Sequence, residues 1–226
     1  MAVRDAGPVT TERDAGAEAL VQAARANGVA DPRLLEAIRA IPRAAFVPPE
    51  QREHAYMDAP LPIPHDQVTT QPSLIATMLD ALELTGEENV LEVGTGYGWQ
   101  TALLSKLARR VWSMERHHDL AEAAAGALTS QEASGVRVVV GDGSRGLPAR
   151  APYDAIVVNA AYPRVPGPLA RQLARGGRLV QPIGEGGQED VVLFEHTENG
   201  LERRRSLIGA HFVRLVGRHG FDAEAG

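Results

Sequence analysis

An apolar run, Val90-Leu91-Glu92-Val93, breaks into Gly94-Thr95-Gly96-Tyr97-Gly98, and a helix-forming stretch, Thr101 to Ala108, follows. A strand that enters a glycine-rich turn and leaves as a helix is the opening of a nucleotide-type site. Glycines permit positive φ and close approach of backbone to a ligand, and the amides at the helix start then face that ligand. Alone, the pattern also serves dinucleotides, phosphates and plain tight turns.

Its neighbours narrow the choice. A second apolar run, Val111-Trp112-Ser113-Met114, ends in Glu115, and a third, Val136–Val140, runs into Gly141-Asp142-Gly143. An acid at the tip of the second strand is placed to accept both hydroxyls of a ribose. Asp142 is placed to accept from an exocyclic adenine amine. Helix capping by Glu115 and a plain turn aspartate at 142 are the bland alternatives. Thr101 stands where a dinucleotide fingerprint puts its third small residue, and no lysine follows as in a P-loop. The set therefore favours S-adenosylmethionine.

The 226 residues suit one α/β domain with a modest appendage. There is no cysteine, which excludes disulfides and thiol catalysis, and the net charge of −6 argues against nucleic acid as a partner. No apolar run reaches the roughly 18 residues of a membrane span, and residues 1–10 carry no secretory h-region. The seven histidines show no ligand spacing, so no metal is expected. A cytoplasmic monomer is the expectation.

Along the chain, residues 1–10 read as a disordered terminus. Residues 11–84 read as a helical and loop segment, with helices over Thr11–Asn27, Pro32–Ile41 and Pro72–Leu84 and a long structured loop over Pro42–His65. Residues 85–221 read as the cofactor-binding domain, forming one compact unit with 11–84. Strands and helices alternate from Asn89 to Ile183, Asn199-Gly200 signals a hairpin, and Phe212–Val216 has strand composition. The expected class is α/β: a doubly wound, mostly parallel, seven-stranded Rossmann-like sheet with an antiparallel C-terminal hairpin and an N-terminal helical extension.

The blocks Asp31-Pro32-Arg33, Ile41-Pro42-Arg43, Phe46-Val47-Pro48, Ala55-Tyr56-Met57-Asp58, Leu61-Pro62-Ile63 and Pro182-Ile183-Gly184 accompany the glycine loop and Gly141-Asp142-Gly143. With them the chain resembles the protein-L-isoaspartate O-methyltransferases from about Leu20 to Phe221. That resemblance implies methyl transfer from S-adenosylmethionine to isoaspartyl carboxylates of damaged proteins, with succinimide formation afterwards. It also implies cofactor contacts at Gln71, Gly94, Thr95, Gly96, Tyr97, Gly98, Glu115, Arg116, Asp142 and Gly143. The family's Gly-Gln-Thr-Ile-Ser-Gln/Ala-Pro stretch here reads Asp66-Gln67-Val68-Thr69-Thr70-Gln71-Pro72. Thr70 takes the place of the serine beside the reacting carboxylate, with Thr69 in support, and Asp66, Gln67 and Val68 lie on the substrate side. Helix capping is the alternative for the threonines. Phe212 and Val213 fall where the family holds substrate as an added strand. The altered stretch leaves open a peptide-tailoring methyltransferase, or a cofactor-binding scaffold without transfer.

Overall fold

Seven strands form one sheet in a computed structural model that describes residues 12–222. The expected disordered terminus, 1–10, lies outside the described residues. The strands are β3 (Asn89–Val93), β4 (Arg110–Glu115), β5 (Val136–Val140), β6 (Tyr153–Val158), β7 (Leu173–Ile183), β8 (Glu189–Thr197) and β9 (Gly200–Ala210). Their order is β5-β4-β3-β6-β7-β8-β9. The first five run parallel, and β8 and β9 return antiparallel. β3 sits between β4 and β6, so the chain order reverses there and a crevice opens at its carboxyl end.

The interior strands are apolar along nearly their whole length because both faces are covered. On one face Val90, Val111, Ala155, Val157 and Val180 pack with Leu103, Leu104 and Leu107 of α4 (Trp99–Leu107) and Leu128 of α5 (His118–Ser130). The same core takes Leu20, Leu34, Ile38, Met78 and Leu79 from α1 (Glu12–Ala26), α2 (Pro32–Ala40) and α3 (Pro72–Asp80). On the other, Leu91, Ile156, Val158 and Leu179 meet Leu169 of α6 (Gly167–Gln172) and Leu215.

Local signals account for the helix ends. Asp31 caps α2 by accepting from Arg33 N–H at 2.8 Å, with Pro32 at the first helical position. α3 stops at Asp80, short of the expected Leu84, because Glu83 takes a left-handed φ of 49°. Neither threonine caps α3. Asp58 reaches in from the preceding loop and accepts from Ser73 N–H at 2.8 Å.

Two expectations need correction. The long loop 42–65 contains short 3-10 turns at Arg43–Phe46 and Pro49–His54. It then enters an antiparallel hairpin of β1 (Leu61–Ile63) and β2 (Gln67–Thr69), turning at left-handed His65 and Asp66. The strand expected at Phe212–Val216 is no ladder. Phe212 N–H is taken by the Glu189 carboxylate at 2.8 Å, and the chain crosses the sheet end with isolated bridges alone, Ala161 to Arg214 and Val216 to Phe221.

Arg43 fastens this loop region. It is 1% exposed, and its guanidinium donates to the carbonyls of Ala55, Met57, Ala59 and Thr70 and to Thr69 Oγ1, at 2.9–3.3 Å. Burial lowers its pKa to about 10, against the pull of Asp58, so it stays charged at neutral pH. Arg43→Met should cost about 3 kcal/mol or more in urea unfolding, because several buried carbonyls lose a charged donor together.

Candidate functional site

The parallel strands deliver their ends to one edge of the sheet. Gly94 N–H donates to Met114 O, Asn159 N–H to Val93 O and Gly141 N–H to Glu115 O, each at 2.8 Å, so the loops start in fixed register. The glycine loop then turns with φ of 94° at Gly94, 55° at Gly96 and 91° at Gly98. A Cβ on Gly94 would stand 3.2 Å from Asn159 Cβ, and one on Gly98 would stand 3.2 Å from Ala124. Left-handed backbone and tight packing together require glycine at both positions.

Glu115 ends β4 with 5% exposure. Its Oε2 accepts from Gly96 N–H at 2.9 Å, and Oε1 accepts from Arg116 and His117 N–H at 2.8 and 3.0 Å. A carboxylate has about four acceptor positions, so one remains open on Oε2. Asp142 is committed to the same extent. Oδ1 accepts from Ser144 N–H and hydroxyl at 3.0 and 2.6 Å, and Oδ2 from Arg218 N–H at 2.8 Å. Burial works to raise its pKa, but these bonds hold it below the usual range.

Beneath the loop lies a polar cluster that sequence reading missed. Glu92 is fully buried, and its Oε2 accepts from the hydroxyls of Ser113 and Thr101, each at 2.5 Å. Ser113 has spent its one proton, so its oxygen, 2.5 Å from Thr95 Oγ1, accepts from Thr95. Burial pushes Glu92 up to about 7 despite the two hydroxyls.

Three adjoining cavities that share lining residues occupy this edge. The first is lined by Gly94 to Gln100, Glu115, Ile63, Gln67, Val68, Thr69, Thr70, Arg43 and Asn159. The second, of about 330 Å³, is lined by Asp66, Gln67, Met114, Glu115, Arg116, Gly143, Asn159 and the segment Val213–Val216. The third is a groove between Val68, Thr70, Gln71 and Leu74 on one side and Ile208 to Val213 on the other. Asn159 and Val213 line all three. Thr70 and Val68 line both the first cavity and the groove, and no hydrogen bond occupies the Thr70 hydroxyl among the described residues. Thr69 Oγ1 is already taken, by Arg43 and by Leu61 N–H at 3.3 Å.

The expected residues thus converge, with two exceptions. Gln71 faces the groove, its amide donating to Asp58 and Ser73 at 2.9 and 3.0 Å, and lines neither cofactor-side cavity. Asp142 borders a separate groove beside Met114 and Gly141. Asn159 was missed. Its Nδ2 donates to Gly94 O at 2.9 Å while its buried Oδ1 has no partner. Its sequence signal was its position just past a strand that ends at the same edge as Gly94.

A ligand with ribose hydroxyls, an extended tail and a donor for Asn159 Oδ1 fits this set of groups. Glu92 makes one clear prediction. Its folded pKa exceeds the ordinary 4.5, so the folded chain keeps a proton that the unfolded chain has lost. That stabilisation is complete below about 4.5 and is lost as pH rises through about 7. Glu92→Gln should gain melting temperature relative to the parent between about pH 5 and 8. A constant difference across that range would reject the buried acid.

The protein-L-isoaspartate(D-aspartate) O-methyltransferase family model matches residues 15–220. A protein-L-isoaspartate O-methyltransferase of Methanoculleus marisnigri is 44% identical, over 97% of this chain and 98% of its own. A solved protein-L-isoaspartate O-methyltransferase superposes with a TM-score of 0.78 at 27% identity, covering 90% of this chain and 67% of that one. A putative one from Plasmodium falciparum, solved with S-adenosyl-L-homocysteine, gives 0.76 at 20% identity over 88% and 97% of the two chains, and supports the fold alone. The chain belongs to the S-adenosylmethionine-dependent protein-L-isoaspartate(D-aspartate) O-methyltransferase family.

Proposed function

We propose that this chain methylates the α-carboxylate of isoaspartyl residues in damaged proteins, with Thr70 as the group that meets the carboxylate. The observation that carries this reading is the unpartnered Thr70 hydroxyl, set in the wall shared by the glycine-loop cavity and the outer groove. When bound, the cofactor supplies an electrophilic methyl on a positively charged sulfur. Gly94, Thr95, Gly96, Tyr97 and Gly98 cradle it, Glu115 takes its ribose through the open position on Oε2, and Arg116 and Gly143 wall the second cavity. Asp142 retains one acceptor position for an adenine amine.

An isoaspartyl carboxylate is ionised at neutral pH, since such groups titrate at about 3.5–4. It needs no general base. Thr70 donates to one oxygen and leaves the other to attack, while Ile63, Val68 and Val213 exclude water. The ester then loses methanol to attack by the following backbone nitrogen, whose proton leaves with the methoxide, and a succinimide results. Asp66, Gln67, Val68, Phe212 and Val213 flank the peptide. Residues 11–84, with the segment 208–213 opposite, supply the substrate wall, and the rest of 85–221 the cofactor half of one unit. All these groups come from one chain, so this reading needs no second copy, and a monomer in the cytoplasm is part of the proposal. Among the described residues no helix is long and apolar enough to cross a membrane.

Labelled methyl transfer to paired peptides, identical except for Asp or isoAsp at one position, tests the reading. Transfer to the isoaspartyl member alone is expected; transfer to neither, with cofactor bound, would reject it. Thr70→Ala should lower kcat about tenfold and leave cofactor affinity within about twofold, as for a contact that orients the carboxylate for attack. Glu115→Ala should weaken cofactor binding by about 10- to 100-fold, since a ribose hydrogen bond to a charged acceptor is lost together with the hold on Gly96 N–H. An unchanged dissociation constant by calorimetry would remove Glu115 from the ribose site.

A further inference from the structure

Glu189 opens β8 with 1% exposure, and no cation meets it among the described residues. One oxygen accepts from Phe212 N–H at 2.8 Å, and the other has no partner. A carboxylate buried in this way is costly, and an apolar side chain would pack there more cheaply. What the carboxylate supplies is a catch. β9 pairs Ala210 with Glu189 and ends. Two residues later Glu189 takes Phe212, and the chain leaves the sheet edge to cross the strand ends. There Ala161 N–H donates to Val213 O and Leu215 N–H to Ala161 O, both at 2.8 Å. Gly184 leaves the room needed, because a Cβ there would stand 2.8 Å from Glu189 Cγ. The segment held in this way carries Phe212 and Val213 into the groove and Val213 into both cofactor-side cavities.

We infer that Glu189 is a positioning residue for peptide recognition, its carboxylate fixing the path of residues 211–214 and so the backbone wall against which the isoaspartyl peptide docks. This rests on the groove being the peptide site. Glu189 touches neither cofactor-side cavity, so its effect separates peptide binding from cofactor binding.

Glu189→Ala should raise KM for an isoaspartyl peptide about tenfold, as for loss of a charged hydrogen bond, with the S-adenosylmethionine dissociation constant within about twofold. Glu189→Gln keeps the shape and a weaker neutral acceptor. It should raise the same KM by only about two- to threefold, which reads the inference even if the alanine variant does not fold. A purely structural role would lower melting temperature and active fraction without separating peptide KM from cofactor affinity, and that result overturns the inference. An unchanged KM in the glutamine variant together with a folded alanine variant of unchanged KM does the same. Hydrogen exchange of the parent protein separates the two levels. Peptide-induced protection of residues 211–214 supports the groove as the dock; its absence rejects the dock itself, whatever the variants do.

Discussion

The guanidinium of Arg43 is the interaction on which the substrate side of this molecule depends. Residues 42–71 have little regular structure, so their backbone carbonyls lack the ladder partners that strands and helices provide. A buried, permanently charged fork with five donors meets that need at one point. It joins the carbonyls of Ala55, Met57 and Ala59 to Thr69 and to the carbonyl of Thr70. Arg43 holds Thr70 by its carbonyl and leaves its hydroxyl free for the carboxylate contact proposed above. The hairpin of β1 and β2 is thereby fixed over the glycine loop with only a small apolar cluster of its own region, Val47, Ala55 and Leu61.

The cofactor side follows a different logic. There the parallel sheet sets the positions, and hydroxyls set the orientation. Glu92, Ser113, Thr101 and Thr95 form a buried chain whose proton directions are nearly determined by counting donors and acceptors. Glu115 then pins Gly96 from above, so the loop is held from both sides. Such a cradle is rigid before any ligand arrives, which reduces the ordering entropy of binding.

What the sequence revealed follows the same division. β3, β4, β5 and β6 were legible because each is an apolar, β-branched run closed by a loop residue, and their ends identified Gly94, Glu115 and Gly143 directly. β1 and β2 were not, since three residues each give alternation nothing to repeat, and Pro62 argues against a strand. Phe212–Val216 had strand composition, but its pairing is decided by Glu189, twenty-three positions before Phe212, and by Ala161. Asn159 carried no motif; its importance appears only when β6 is known to lie beside β3. Long-range capture of single backbone groups is invisible to periodicity, and the substrate wall is built mostly from such captures.

The narrow wall between groove and cavity has a consequence for the molecules served. Thr70, Val68, Asn159 and Val213 line both spaces, so groove and cavity meet across these four side chains. On the reading proposed above, a peptide lies extended in the groove and sends one short side chain past these residues, a course open to a segment free of its own helix or sheet partners. On that reading, the rate at which a damaged site is served follows how often its own surroundings fray into an extended segment, and a rigid fold shelters its lesions.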